Sequence, residues 1–261
     1  MELIKPRLPD RHLFVEIGSV ARIREGINYT MAFGEPVRIT SQAGFGKTTG
    51  LYYLAEDMGG YYCQIGQAHK SAPDMYRTLL AACEIYHDDK YTRELFNTLV
   101  DVLGRRNIWR MEHSEKGRLL IIVDEVQTLE ATALRELLSI QETCQFGLVI
   151  SGNGERIAKT KMDRGAWEQI DSRIGMEIKL PGLSRTDCEL MGAAYGVEGM
   201  DAYQALANFG TKTTPRMLGR LLENAKRLTA GTGSIQLRHI QITMAGNPKL
   251  GDAGLLKSEA A

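Results

Sequence analysis

Residues 37–48 read Val37-Arg-Ile-Thr40 and then Ser41-Gln-Ala-Gly-Phe-Gly-Lys-Thr48. The first four are short and β-branched and predict a buried strand, while 49–58 predicts a helix behind the glycines. Strand, glycine loop and helix in that order are the setting that a phosphate-binding loop requires. Gly44 and Gly46, with Phe45 between them, let successive backbone N–H groups turn toward phosphates, and the next helix offers its positive end. Lys47 then neutralises the β and γ phosphates of ATP, the Thr48 hydroxyl completes a Mg²⁺ shell, and Thr49 belongs to the same nucleotide set. The strict pattern begins with glycine, and Ser41 stands in that place; it can turn the chain provided its φ is negative.

Outward from this loop, strands are predicted at 61–65, 119–123, 146–150 and 176–180. Helices are predicted before it, from Ser19 to about Gly34, and after it at 71–85, 91–103 and 132–140. Strands alternating with helices imply an α/β fold, a doubly wound parallel sheet sandwiched by helices. Beyond Pro181-Gly182 the pattern is helical only, at 184–195, 200–209, 215–229 and 238–245, which implies a small helical lid. The expected organisation is a nucleotide-binding α/β domain over 1–180, a lid over 181–246 and a Gly-, Ala- and Lys-rich flexible tail over 247–261.

Leu119-Leu-Ile-Ile-Val123 runs straight into Asp124-Glu125. Ligands of open α/β sheets bind at the carboxyl ends of the strands, so Asp124 is placed to organise Mg²⁺. Its neighbour Glu125 can polarise the attacking water, a hydrolase feature. Asn153 follows the fourth strand and either orients that water or simply turns the chain. Arg173, before the fifth strand, either reaches a neighbouring subunit's γ-phosphate or pairs as a surface cation. Arg216 opens the third lid helix and can touch the phosphates from that side.

Composition narrows the partners. Lys plus Arg number 32 and Asp plus Glu 32, so nucleic-acid affinity has to come from local clusters. Arg105, Arg106 and Arg110 around Trp109 form one candidate DNA-binding surface, and Lys159, Lys161 and Arg164 another, unless these are solvated helix ends. Four widely spaced cysteines with no Cys-x-x-Cys pair argue against zinc or a disulfide framework and predict buried, reduced thiols. Charges or glycines interrupt every apolar run, and the start has no apolar targeting segment, so the expectation is a cytoplasmic protein without membrane spans.

These pieces in this order resemble the AAA+ superfamily over about residues 15–245. Ser41–Thr48 looks like Walker A, 119–125 like Walker B, Asn153 like sensor 1, Arg173 like the arginine finger and Arg216 like sensor 2. Within it, the compact lid, the two helices between the second and third strands, and Ile174-Gly-Met-Glu-Ile-Lys-Leu-Pro-Gly-Leu-Ser184 look most like the DNA-transposition ATPases, the family that includes the B protein of phage Mu. A counterpart of that protein's amino-terminal helix-turn-helix is not expected in residues 1–261. The resemblance implies ATP-dependent homo-oligomers, filaments or rings, on duplex DNA, with target selection and stimulation of a transposase. A helicase loader or initiator-like ATPase shares the same core, and so does a nucleotide switch in signalling or defence.

Overall fold

A strand that is apolar at almost every position is stable only when both of its faces are covered. The structure, a computed structural model, describes residues 6–153, 161–229 and 233–256. Among them are five strands, β1 (Val37–Thr40), β2 (Tyr61–Gln64), β3 (Leu120–Asp124), β4 (Gly147–Gly152) and β5 (Met176–Lys179). They form one parallel sheet in the order β2-β3-β4-β1-β5. The central strands β3 and β4 are buried at every residue, whereas the edge strands β2 and β5 are half-covered. Thr40 pairs with Gly152 and Gln64 with Asp124, so the carboxyl ends of β1 to β4 share one edge. With β4 between them, the ends of β1 and β3 stand two strand spacings apart, about 10 Å.

Helices α1 (Gly18–Phe33), α2 (Lys47–Met58), α3 (Ala72–Ala82), α4 (Thr92–His113), α5 (Ala131–Cys144) and α6 (Lys161–Asp171) alternate with the strands. In α1, Val20, Ile23 and Ile27 are enclosed at helical spacing, and Met31, next on the same face, is half-buried. Helices α3, α4 and α5 pack on one another around a core of Leu79, Leu95, Leu99, Leu137, Leu138 and Phe146. All four cysteines are buried, and desolvation pushes their thiols up, Cys83 to about 12 and Cys144 and Cys188 to about 11.

Helix α4 runs ten residues past the predicted end at Leu103, to His113. Its extension is anchored by Asn107, which is 1% exposed. The Asn107 amide donates to the Cys144 carbonyl (3.0 Å) and accepts from the Leu119 N–H (2.8 Å), tying α4 to the end of α5 and the approach to β3. Asn107→Ala leaves both main-chain groups buried without partners, a cost on the order of 3 kcal/mol. Urea unfolding is expected to show a midpoint lowered accordingly, with an unchanged slope.

The chain packs as two units, one built on Arg22–Gln42 and Thr48–Lys179, the other on Leu8–Ala21, Ala43–Lys47 and Leu180–Ala261. The second holds α7 (Arg185–Ala194), α8 (Met200–Gly210), α9 (Pro215–Leu228) and α10 (Leu237–Gly246), near the predicted positions. Ser184 and Thr214 cap α7 and α9, and Pro215 starts α9 where its missing N–H has no helical partner anyway. The buried Asp187 carboxylate accepts from Gly18 N (2.7 Å), Ser184 N (2.8 Å) and Ser184 Oγ (2.8 Å), so one side chain holds the starts of α1 and α7. The stretch expected to fray is packed as far as Leu256: Pro248–Leu250 and Ala253–Leu256 form 3-10 turns, and Leu250 is 1% exposed. No helix among the described residues is long and apolar enough to cross a membrane.

Candidate active site

Asp124 ends β3 wholly buried, and each of its oxygens is held. Oδ2 accepts from the Thr48 hydroxyl (2.8 Å) and the Tyr62 hydroxyl (3.0 Å), and Oδ1 accepts from the Glu125 N–H (2.9 Å). Tyr62 comes from β2, whose register sets Gln64 beside Asp124. Burial first, and the Asp124 charge second, push the Tyr62 phenol far above its ordinary range, so it keeps its proton and donates. The sequence reading did not include Tyr62. An aromatic on an edge strand reads as packing, and only the pairing of β2 with β3 brings its hydroxyl to the carboxylate.

Glu125 leaves the strand with φ +62°, a left-handed backbone that a non-glycine residue rarely adopts. That turn makes Glu125 the cap of a 3-10 turn, Val126–Thr128, in which Thr128 N donates to Glu125 O (3.0 Å). The turn folds Gln127 back, so its amide nitrogen donates to the Glu125 carboxylate while its oxygen accepts from Asn153 N (3.4 Å). Thr48, Asp124, Glu125 and the Asn153 main chain thus join one network, together with Tyr62 and Gln127. The exposed Asn153 follows β4.

The loop ahead of α2 has the backbone that its glycines permit: φ is +88° at Gly44 and +83° at Gly46. Ser41 lies outside the positive-φ residues, meeting the condition its substitution for glycine imposes. It is buried, and its hydroxyl donates to Gln42 O (2.9 Å). Phe45 and Thr49 are half-buried, and Lys47, the first residue of α2, is only 9% exposed. Within the second unit, Arg216 N donates to Gly44 O (3.0 Å), and a Cβ on Gly44 would stand 3.0 Å from Thr214 Oγ1. The start of α9 therefore rests on the loop, with the Arg216 side chain exposed beside it.

The remaining candidates lie elsewhere. Arg173 bonds to Glu142 of α5 (Nε to Oε1, 3.4 Å), an exposed pair of small energetic weight that a better anion can displace. In the first cationic cluster, Arg105 pairs with Asp101. Arg106 donates to Tyr61 Oη (3.0 Å) and Cys83 O (2.5 Å), and Arg110 to Gly59 O (2.6 Å) and Met58 O (2.7 Å). Arg106 and Arg110 thus neutralise the carbonyl ends of α3 and α2, a partnership that favours cations. Trp109 is exposed, stacked on His113. Lys161 opens α6, a helix absent from the sequence reading, and Lys159 lies outside the described residues.

Residues 36–159 match the family model described as the AAA domain. The sheet order and flanking helices are those of the AAA+ fold, seen also in solved structures similar to this chain. Aeropyrum pernix ORC2 in its ADP form has a TM-score of 0.60 at 15% identity, over 94% of this chain and 72% of that one. The same protein in ADPNP-ADP complexes gives 0.58 at 16%, over 91% and 71%. The Thermotoga maritima RuvB Holliday junction branch migration motor gives 0.54 at 15%, over 90% and 73%. No curated protein matches the chain. Inside the AAA-domain match lie the phosphate loop, the Asp124 network and the end of β4; Arg173 and Arg216 lie beyond it.

Proposed function

We propose that the chain is a Mg²⁺-dependent ATPase that assembles as a homo-oligomer on duplex DNA. The observation that carries this reading is the Thr48 hydroxyl on the buried Asp124 carboxylate at 2.8 Å, which joins the phosphate loop's last residue to the acid that ends β3. Among the described residues no group of three or more His, Cys, Asp or Glu could cage a metal. A pair such as Thr48 and Asp124 suits an ion that takes few protein ligands and completes its shell with phosphate oxygens and water. Mg²⁺ held there would supply charge neutralisation on the β and γ phosphates.

Lys47, Gly44, Gly46 and their neighbours Ser41, Phe45 and Thr49 bind the phosphates in this reading, with Arg216 reaching them from the lid over 181–246. Glu125 takes the proton of a water whose oxygen attacks the γ phosphorus, and the bond to the β–γ bridging oxygen breaks to give ADP and phosphate. Asn153 orients that water. Within DNA-acting ATPases we favour regulation of transposition, target selection and transposase activation, on the phrase at 174–184. Likeness to ORC2 supports an initiator-like ATPase equally. Phosphate release measured with and without duplex DNA, and micrographs with an ATP analogue, test the common part. A DNA-independent assembly with no turnover would overturn it. Adding a transposase separates the two finer readings, because only a transposition regulator raises strand transfer when ATP is present.

Arg173 acts in trans in this reading, so specific activity is expected to rise with protein concentration, and Arg173→Ala to flatten that rise. Mixing Arg173→Ala with Glu125→Gln protein should restore part of the turnover, because some interfaces then pair an intact Glu125 with an intact Arg173. Rates in the mixture equal to the sum of the two inactive proteins, with co-assembly verified by light scattering, would count against a shared site.

A further inference from the structure

Gln127 holds the side chain of Glu125 with one end of its amide and the main chain of Asn153 with the other. Nothing in the AAA-domain match assigns it a role. Gly152, the last residue of β4, is built around it: a Cβ there would meet Gln127 Oε1 at 2.6 Å, while its next nearest neighbours, Gln127 N and Cδ, stand at 3.6 and 3.7 Å. Gly152 does not have a positive φ, so what a side chain there would disturb is the Gln127 amide, the movable end of its side chain, rather than the backbone of β4. The left-handed turn at Glu125 and the 3-10 turn after it are what bring Gln127 within reach on the other side.

We propose that Gln127 is a positioning residue that fixes the Glu125 carboxylate relative to the end of β4, so that the acid and Asn153 address the same water. The inference rests on the hydrolysis reading given above. A carboxylate on a long side chain has several rotamers to choose among, and a base must stand within hydrogen-bond reach of the proton it takes. The Gln127 amide removes that freedom at one oxygen and leaves the other free to accept. Since the same amide is pinned by Asn153 N, a shift at the end of β4 moves the base with it.

The test compares phosphate release at saturating ATP, with duplex DNA present, in the wild type, Gln127→Ala, Gln127→Glu, Gly152→Ala, the Gln127→Ala/Gly152→Ala double variant and Glu125→Gln, with ATP affinity of each measured by calorimetry. Expected are a turnover lowered roughly ten- to a hundredfold in both Gln127 variants and an ATP affinity within about twofold of wild type. Gln127→Glu keeps the acceptor toward Asn153 but sets a second carboxylate against Glu125, so it should fare no better than alanine. Gly152→Ala should lose turnover by displacing the amide, and should cost nothing further when Gln127 is already alanine. Losses that multiply in the double variant would overturn the assignment of Gly152's effect to Gln127, and with it the proposal. Loss of ATP affinity in parallel with turnover would overturn it too, by making Gln127 a part of the binding fold. Full turnover in Gln127→Ala beside an inactive Glu125→Gln overturns this inference and leaves the base reading standing. Turnover that survives in Glu125→Gln overturns the hydrolysis reading, and this inference falls with it.

Discussion

Lys47→Ala is expected to lose ATP affinity by a hundredfold or more. The lysine is nearly enclosed at the first position of α2, directly after a glycine with φ +83°. Backbone N–H groups of the loop supply partial charges, but a triphosphate carries several full ones, and a charge-assisted contact contributes roughly twice a neutral hydrogen bond. Losing it together with its long-range attraction amounts to about 3 kcal/mol, which is that hundredfold. Calorimetric titration with ATP and Mg²⁺ reads the effect. Affinity close to wild type would remove Lys47 from the phosphate site.

Glu125→Gln should separate binding from chemistry. The amide keeps the shape of the side chain and can still accept from Gln127, so the network around Asp124 persists, yet it cannot take a proton from water. Turnover is expected to fall by roughly a hundred- to ten-thousandfold while ATP binding stays within about twofold. The trapped ATP state should accumulate as assemblies on DNA, visible in micrographs. Unchanged phosphate release at saturating ATP would rule out Glu125 as the base.

The strands were legible because their signal is local: the run 119–123 leaves no solvent-facing alternation, and β3 is buried throughout. The phosphate loop was legible for the same reason, since its glycines stand between a strand and a helix. What escaped the sequence depends on distant partners. Residues 105–110 carry three arginines and read as a candidate DNA-binding surface or a solvated helix end, whereas Arg106 and Arg110 turn back to carbonyls at Cys83, Met58 and Gly59. Helix α6 carries Gly165 and few apolar residues, and among its described side chains Ile170 is the one buried completely. Gln127 is two residues beyond Glu125, a spacing that in a strand puts both on one face but about 7 Å apart, and in a helix puts them on separate faces. Only the left-handed turn at Glu125 brings the two side chains together. The spacing Asp124-Glu125-Val-Gln127 offered a signal in hindsight, but one that has meaning only with Gly152 beside it.

The second unit is assembled from three stretches of chain, two of them early and one at the end. No single cut releases it intact: a fragment starting at Leu180 loses the Gly18 N–H that Asp187 holds, and also Gly44, whose carbonyl takes the Arg216 N–H. During synthesis, residues 8–21 and 43–47 emerge first and wait for their partners until α7 and α9 have followed. Closing such distant contacts is slow and comes late. The loop proposed to hold phosphate therefore gains its backbone partner only once Arg216, about 170 residues later, has been made, so a nascent chain that stops short of α9 would carry the nucleotide motif without the support that shapes it.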